Sequence, residues 1–346
     1  MNTLTRRGFV SASLAAGLVP PALAQTSAET SPWRPATALP VRTQEIYPAV
    51  LHGRIYLAGG LSPDAEVTQG GMGILDRVFC WSPGPHLGGS WAEIAALPEP
   101  RHHPNLVGHD DAIFAIGGFH AAQGGAWHML SNTTRYDPDA NSWQEVAPLP
   151  DPFAETCAVS LPSGIHVATG RQPAGEANAN WPDHTDSGAH FVYDAAEDRW
   201  RRAAPNPNPR NSAAGVALDG RFHVIGGRRV GAGNETHHEA YDPQTDTWHT
   251  LAPLPQGQGG LAAAVAHGRI HAFGGEWFGD DGGGVYPQMW IYDPAADAWQ
   301  AGPPMRTPRH GLGGVAIDNR IFAIAGATGP SAQGTTGGVE VYAPAA

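Results

Sequence analysis

Lysine is absent from the 346 residues, so all 20 basic residues are arginine, against 32 aspartates and glutamates. Without lysine, Schiff-base catalysis and a phosphate-binding loop that ends in Lys are excluded. The net charge of −12 at pH 7 argues against a protein whose main task is to grip the phosphate backbone of nucleic acid. We therefore expect no nucleic-acid partner.

Charged residues are also scarce, at 15%, whereas 45 glycines and 32 prolines punctuate the chain. This composition is typical of many short strands joined by turns, and it excludes a coiled coil. A hydrophobic content of 41% is enough for a real core, which argues against wholesale disorder.

Only two cysteines are present, Cys80 and Cys157. A fold that depended on disulfides for its stability would usually carry more, so we expect two free thiols. The repeat described below agrees with this, because it places the two cysteines in different, non-adjacent repeats.

The first 24 residues are expected to be an export signal rather than part of the fold. The run Thr5-Arg6-Arg7-Gly8-Phe9-Val10 precedes an apolar stretch and the small-x-small site Ala22-Leu23-Ala24. The Phe after the arginine pair fits a twin-arginine signal, and a general secretory signal that happens to carry Arg-Arg is the alternative. Either signal predicts a periplasmic or secreted protein. No later stretch has the roughly 18 apolar residues of a membrane span.

A repeat of about 50 residues runs through the rest of the chain. Six tryptophans are each followed, 26 residues later, by a glycine pair or its equivalent, and four are preceded by Tyr-Asp seven residues earlier. Each glycine pair ends an alternating apolar run, which predicts a strand. The tryptophans are Trp33, Trp91, Trp143, Trp200, Trp248 and Trp299, the pairs begin at Gly59, Gly117, Thr169, Gly226, Gly274 and Ala325, and Tyr-Asp begins at Tyr136, Tyr193, Tyr241 and Tyr292.

Gly-Gly, then Tyr-Asp, then Trp at this period resembles the kelch repeat, in which each repeat forms a four-stranded blade of a β-propeller. The resemblance implies an all-β fold, with residues 25–346 forming a single six-bladed kelch propeller. The C-terminal segment Val339–Tyr342 has no tryptophan after it, and Trp33 has no Tyr-Asp before it. We therefore expect the N- and C-terminal strands to pair in one blade and close the ring.

Function is expected where the blades differ, at one mouth of the central channel, because sites on such a scaffold lie on its loops. Ten residues past the tryptophan, arginine recurs in alternate blades as Arg101, Arg210 and Arg309. Together with Arg228, these arginines predict a site for a small anion such as a carboxylate or an acidic sugar. Hydrogen bonding between blades is the structural alternative for each arginine. The other predicted ligand-binding residues are His102, Asn211, His310 and Trp277.

Carboxylates and imidazoles at the same mouth supply the groups that acid/base catalysis needs. We expect Glu155, Glu276 and His103 to be catalytic, with Glu45 and His120 as further candidates. The chain has 17 histidines but no compact spacing of metal ligands, so we expect neither a metal nor another cofactor. The histidines expected to share one space are His102, His103, His120 and His310.

Among secreted bacterial kelch propellers, the chain is similar to the sialic-acid mutarotase (N-acetylneuraminate epimerase) group, which opens and closes an acidic sugar ring by proton transfer. That resemblance implies Gly-Glu after a second strand and Arg six residues later. Glu276 follows Gly275, but position 282 is Gly, and the fourth blade carries Arg228 in the corresponding loop. A galactose-oxidase site needs copper and a cross-linked Tyr–Cys pair, and it is not expected because Cys80 falls on an outer strand.

The sequence thus predicts an exported propeller that binds a small anionic ligand at its channel mouth, with sugar isomerase or mutarotase activity as the enzymatic version. The alternative is a non-enzymatic module that binds a protein partner at the same mouth. The sequence leaves open whether the loops 61–77 and 171–188 fold over this mouth.

Overall fold

Short antiparallel strands joined by tight turns make up almost all of the regular structure, as the composition predicts. A computed structural model describes residues 31–345 except 70, 85–87, 123, 124 and 281, and it leaves the side chains of 67–69 and 122 undescribed. The predicted export signal, residues 1–24, lies outside the described residues and stays a prediction. In the part of the chain that is described, no helix has the length and apolar character needed to cross a membrane.

Most of the described strands form six sheets of four antiparallel strands, and one of these sheets carries a fifth strand at its end. In five of the sheets the strands follow chain order from the axis outward, and in the sixth the outer strand comes from the N-terminal part of the chain. These sheets are the blades of a propeller. Blade one contains Ala49–Leu51, Arg54–Ala58, Val78–Pro83 and Gly89–Ile94; blade two Asn105–His109, Ala112–Ile116, Thr133–Asp137 and Ser142–Val146; blade three Cys157–Leu161, Gly164–Pro173, His184–Asp194 and Arg199–Arg202; blade four Ala214–Leu218, Arg221–Ile225, His238–Asp242 and Thr247–Thr250; blade five Gly259–Ala266, Arg269–Gly279, Met289–Asp293 and Ala298–Ala301; and blade six Gly313–Ile317, Arg320–Ile324, Val339–Tyr342 and Arg34–Ala36.

Blade six joins the two ends of the propeller. Its first three strands come from the C-terminal part of the chain, and the outer strand Arg34–Ala36 pairs with Val339–Tyr342, with Arg34 opposite Val341 and Ala36 opposite Val339. The predicted closure by the terminal strands is therefore confirmed. The first strand of every blade also contacts the first strands of both neighbours, so the ring is complete around the axis.

The hydrophobic core lies between adjacent blades. One cluster, for example, combines Phe114 and Ile116 of blade two with Ile165 and Tyr193 of blade three, and the Phe114 and Tyr193 rings are 5.6 Å apart. Burial on both faces of each sheet explains why the second strands are nearly continuous apolar runs. Cys80 in blade one and Cys157 in blade three are buried and free, as predicted.

The repeated aromatic residues hold neighbouring blades together. The indole nitrogen of each repeat tryptophan donates a hydrogen bond to a backbone carbonyl of the preceding blade or of the segment beside it, at 2.8 to 3.4 Å. Each Tyr of the Tyr-Asp motif donates to an Asp or Asn side chain five residues later, as Tyr193 does to Asp198 at 2.6 Å, and that side chain accepts a backbone N–H from the preceding blade. These residues are structural, as the repeat implies.

The segments that follow the glycine pairs build up one end of the propeller. They form the hairpins Leu61–Gln69 with Met72–Ile74, Phe119–Ala122 with Gly125–Met129, and Arg228–Arg229 with Gly233–Asn234, while Gly282–Val285 pairs with the end of the second strand of blade five. In blade three the second and third strands themselves continue as a pair to this end of the propeller, and a single 3-10 turn, Trp181–Asp183, lies between them. Both long loops, 61–77 and 171–188, contribute side chains to the cavity at this end.

Candidate functional site

The position ten residues past each tryptophan is buried and does not reach the channel mouth. Arg101, Arg210 and Arg309 are at most 1% exposed. Each donates a hydrogen bond to the carbonyl sixteen residues ahead, in the first residue of the glycine pair or its equivalent. Thr43 and Gln258 make the same bond with their own side chains. A buried carbonyl needs a donor, which explains why this position is polar in five of the six blades.

Buried carboxylates neutralise these arginines. An Arg210 nitrogen lies 2.6 Å from Glu239, and an Arg309 nitrogen lies 3.4 Å from Glu340, with the second pair almost as deeply buried as the first. Arg101 pairs with the half-buried Glu99. The expectation that Arg101, Arg210 and Arg309 converge on the mouth to bind an anion is therefore wrong, and the structural alternative holds for all three.

Two residues further along, the backbone adopts the left-handed conformation in all six blades. The residues are Glu45, His103, Glu155, Ser212, Gly260 and Gly311, with φ between +50° and +68°. We call them the axial ring, because in five of the six steps around the axis the amide of one lies 2.7 to 3.2 Å from the carbonyl of its counterpart in the preceding blade. Non-glycine residues adopt this conformation at a cost, and such strain concentrates at functional sites.

A cavity of about 640 Å³ opens above the axial ring, and we call it the mouth cavity. Its floor contains Glu45, His103 and Glu155 of the axial ring. Polar residues next to the ring complete the floor: Gln44, Asn211, Arg228 and Glu276. Its wall is largely apolar and aromatic, and it includes Leu61, Met72, Trp127, Trp181, Val230 and Phe278. The cavity thus presents ring faces on its sides and hydrogen-bonding groups at its base.

Glu276 lies at the centre of one polar cluster on the floor. One carboxylate oxygen accepts a hydrogen bond from Arg228 at 2.6 Å, and the other accepts the backbone N–H of Ser331 at 2.9 Å and lies 3.4 Å from Nδ1 of His310. Burial acts to lower the pKa of Arg228, but Glu276, Glu155 and Glu45 more than offset it and raise that pKa above its ordinary value. Arg228 therefore stays charged and committed to carboxylates of the protein.

Glu45 and His103 form a second cluster across the axis. Nε2 of His103 lies 2.9 Å from the Glu45 carboxylate, and Nδ1 of His310 lies 3.7 Å from its other oxygen. Burial acts to raise the pKa of Glu45, but His103, His310 and Arg228 together hold that pKa well below its ordinary value. The Glu45 carboxylate packs over Gly311, where a Cβ atom would come within 2.8 Å of it.

Glu155 completes the floor on the third side. It is 1% exposed and accepts a hydrogen bond from the Ser212 hydroxyl at 2.8 Å. An Arg228 nitrogen lies 3.3 Å from the same hydroxyl, which links this cluster to that of Glu276. Asn211 donates to Asp186 of the blade-three loop at 2.5 Å. Three carboxylates, one imidazole and one guanidinium thus line the floor of a single space, which is an arrangement suited to proton transfer.

The structure brings together most of the residues predicted for the mouth. Glu155, Glu276, His103, Asn211 and Arg228 line the cavity. His310 contacts two of the floor carboxylates from behind, and His102 lies directly behind His103. Trp277 is 38% exposed and adjoins Phe278 at the rim. Sequence reasoning placed Phe278 beside Trp277 at the mouth but missed Trp127 and Trp181, because these two residues lie in loops whose length and sequence differ from blade to blade.

His120 does not join the other three histidines, because it turns toward the carbonyl of Pro100. Across the described residues, no group of three or more His, Cys, Asp or Glu side chains has an arrangement that would hold a metal ion. The floor clusters are held by hydrogen bonds among the side chains themselves.

Comparisons with known proteins match the repeat and the fold. The kelch motif model matches residues 100–150 and 209–255. Kelch-like protein 35 of Mus musculus is 27% identical over 237 residues, which is 58% of this chain and 38% of that protein. Beta-scruin of Limulus polyphemus is 26% identical over 185 residues, or 54% of this chain and 19% of that protein. The chain thus spans less than two fifths of the length of these relatives.

Among solved structures, that of YjhT superposes with a TM-score of 0.71 at 15% sequence identity, and the match covers 87% of this chain and 94% of that chain. At this identity the likeness concerns the fold alone.

Proposed function

We propose that this six-bladed propeller of kelch motifs binds a small polyhydroxylated ligand, such as a monosaccharide, in the mouth cavity and catalyses proton transfer on it. The observation that carries the proposal is the pairing of an aromatic wall with a floor of carboxylates, imidazoles and amides in a space of about 640 Å³. This volume is in the range typical of small-molecule sites. Aromatic faces pack against the C–H surface of a sugar ring, and the floor accepts and donates hydrogen bonds to its hydroxyls.

The charge on the floor favours a neutral sugar over an acidic one. Glu45, Glu155 and Glu276 line the same space as Arg228, which is the only arginine among the described residues of the cavity floor. Arg228 already binds Glu276 at 2.6 Å. A ligand carboxylate would have to displace Glu276 and approach two further carboxylates, which is unfavourable in a poorly solvated site. The three arginines on which an anionic ligand was expected are buried elsewhere.

The reaction class that fits is a sugar isomerisation without net oxidation, such as the opening and closing of a hemiacetal ring. That reaction needs a base for the anomeric hydroxyl proton and an acid for the ring oxygen. In our proposal Glu276 accepts the hydroxyl proton, His103 donates a proton to the ring oxygen, and Glu155 holds further hydroxyls. The sugar loses one proton to Glu276 and gains one from His103, so the reaction needs no oxidant, reductant or other cofactor.

A panel of ligands tests the proposal through the shift that each causes in the thermal unfolding midpoint of residues 25–346, the chain without its predicted export signal. Neutral monosaccharides, acidic sugars and simple carboxylates are compared, since a ligand at about 100 times its dissociation constant adds about 2.7 kcal/mol of stability. We expect a shift with a neutral sugar that is lost in Glu276→Gln, each protein being compared with its own unliganded midpoint. The matched control is Asp139→Asn, which removes one carboxylate at an exposed turn. A shift with carboxylates alone would contradict the neutral-sugar proposal.

A protein-interaction module is the second candidate, and a specific observation favours it. In the described part of the chain, the exposed large hydrophobic side chains are Trp181, Val230, Trp277 and Phe278, and all belong to the loops around the mouth cavity. Exposed apolar groups of this kind mark binding surfaces. If no sugar shifts the unfolding midpoint, this rim becomes the site to test with a protein partner.

We further propose that the chain is exported by the twin-arginine route. The support is Arg6-Arg7 ahead of the apolar stretch in the first 24 residues. An Arg6→Lys/Arg7→Lys variant that still reaches the periplasm would contradict this route.

A further inference from the structure

A line of hydrogen bonds runs from the blade-two hairpin to the axis through two adjacent histidines. Nε2 of His102 lies 2.6 Å from the carbonyl oxygen of Ala126, and Nδ1 of His102 lies 2.7 Å from Nδ1 of His103. Nε2 of His103 lies 2.9 Å from the carboxylate of Glu45. His103 and Glu45 line the mouth cavity, whereas His102 is 0% exposed behind them.

The partner of each nitrogen decides where the protons are. The Ala126 carbonyl can only accept, so Nε2 of His102 carries a proton. Burial, followed by the neighbouring His103, lowers the pKa of His102 to about 3, so its ring is neutral and its Nδ1 is an acceptor. Because two lone pairs cannot face each other at 2.7 Å, Nδ1 of His103 must donate to it.

The other nitrogen of His103 is then fixed as well. With one proton already on Nδ1, a neutral His103 would direct the Nε2 lone pair at a carboxylate oxygen 2.9 Å away, which is repulsive. A second proton between Nε2 and the Glu45 oxygen removes this repulsion. The pair formed by His103 and Glu45 therefore holds two protons, and only the second one is at the cavity surface.

We propose that His102 is a positioning residue that fixes the Nδ1 proton of His103 and so reserves the Nε2 proton for transfer into the mouth cavity. The packing supports this role: the His102 ring stacks on Phe119 with centroids 5.1 Å apart and meets Trp127 edge-on at 4.9 Å, so it cannot turn to exchange its partners. Transfer of the Nε2 proton to a ligand oxygen leaves His103 neutral with its proton on Nδ1, still bonded to His102. A hydroxyl proton taken up by Glu276 balances the transfer.

Use of this proton on a sugar rests on the proposed function, but the assignment of protons does not, so the two can fail separately. Nitrogen-15 NMR of the histidine-labelled exported chain at neutral pH reads the protonation of each ring nitrogen directly. The His103 signals are identified by their loss in His103→Gln. We expect two protonated nitrogens for His103 and a single protonated nitrogen, Nε2, for His102.

The variant His102→Phe keeps an aromatic ring against Phe119 and Trp127 but offers no acceptor to His103. We expect the protonated Nδ1 signal of His103 to be lost in this variant and kept in the control His120→Phe, whose histidine lies outside the line. An unprotonated Nδ1 on His103 in the wild-type chain overturns the proposal, as does an identical His103 spectrum in His102→Phe. If His102→Phe does not fold, the wild-type spectrum alone decides.

Discussion

Removing the Arg210 side chain is expected to damage the fold rather than ligand binding. Arg210 and Glu239 are both 0% exposed and are 2.6 Å apart, and Arg210 also donates to the Gly226 carbonyl at 2.6 Å. Arg210→Ala leaves a buried carboxylate without its partner, and breaking a buried pair in this way costs about 3–5 kcal/mol. Urea unfolding of residues 25–346, followed by tryptophan fluorescence, measures that loss.

Two further variants make the reasoning specific. In Arg210→Gln/Glu239→Gln both charges are removed while a donor to Gly226 is kept, as Gln258 provides in blade five, so we expect recovery of most of the lost stability. The control Arg202→Ala breaks a pair of similar length, 2.7 Å, whose side chains are 63% and 43% exposed, and it should cost less than about 1 kcal/mol. Unchanged stability in Arg210→Ala together with lost ligand binding would refute the structural role.

Three other predictions concern the axial ring, the aromatic wall and acid stability. Gly311→Ala and Gly260→Ala impose the same backbone strain of the left-handed conformation, about 1–2 kcal/mol, but only Gly311→Ala places a Cβ atom against the Glu45 carboxylate. Thermal-shift titration should therefore show weaker ligand binding in Gly311→Ala alone. Equal binding in both variants would contradict the role of Glu45. Trp181→Ala should weaken sugar binding by about tenfold, for a lost aromatic contact of about 1.4 kcal/mol, with a much smaller change in unfolding midpoint; unchanged affinity would remove Trp181 from the site. Burial lowers the pKa of four histidines to about 3 or 4, so below about pH 6.5 the unfolded chain binds more protons than the folded chain does. The thermal unfolding midpoint should therefore fall steadily as the pH is lowered from 6.5 to 4. A midpoint that does not change over that range would contradict this prediction. These histidines are His166, His190, His223 and His238.

The fold could be predicted from the sequence because its determinants recur. The tryptophan, the glycine pair and the Tyr-Asp motif each take part in a contact between blades, and these contacts recur around the ring. The weak local signals of the six repeats therefore all indicate the same architecture. The closing blade was equally readable, because the missing Tyr-Asp before Trp33 and the missing Trp after Tyr342 complement each other.

The site was only partly readable, and the arginines show why. Spacing placed Arg101, Arg210 and Arg309 near the mouth, but spacing does not give the direction of a side chain, and all three turn inward to satisfy buried carbonyls. The buried carboxylates that pair with Arg210 and Arg309, Glu239 and Glu340, are 29 and 31 residues away along the chain, so the spacing around the tryptophan does not reveal them. Two residues later, the chain turns outward into the cavity, which is why Glu155 and His103 were placed correctly.

The aromatic wall was not predictable, because Trp127 and Trp181 lie in loops that differ between blades. Their position depends on contacts between loops, such as the 4.8 Å separation of their rings and the stacking of Arg171 on Trp181 at 3.4 Å. No periodic pattern encodes such contacts.

The measurement that tests the central claim most directly is the rate of anomer exchange of the sugar that binds, followed by NMR exchange spectroscopy with and without the protein, residues 25–346. The account predicts that the wild-type chain accelerates exchange above the buffer rate, that Glu276→Gln abolishes the acceleration, and that Asp139→Asn retains it. A sugar that binds in the mouth cavity but exchanges its anomers at the buffer rate would contradict proton transfer at this site.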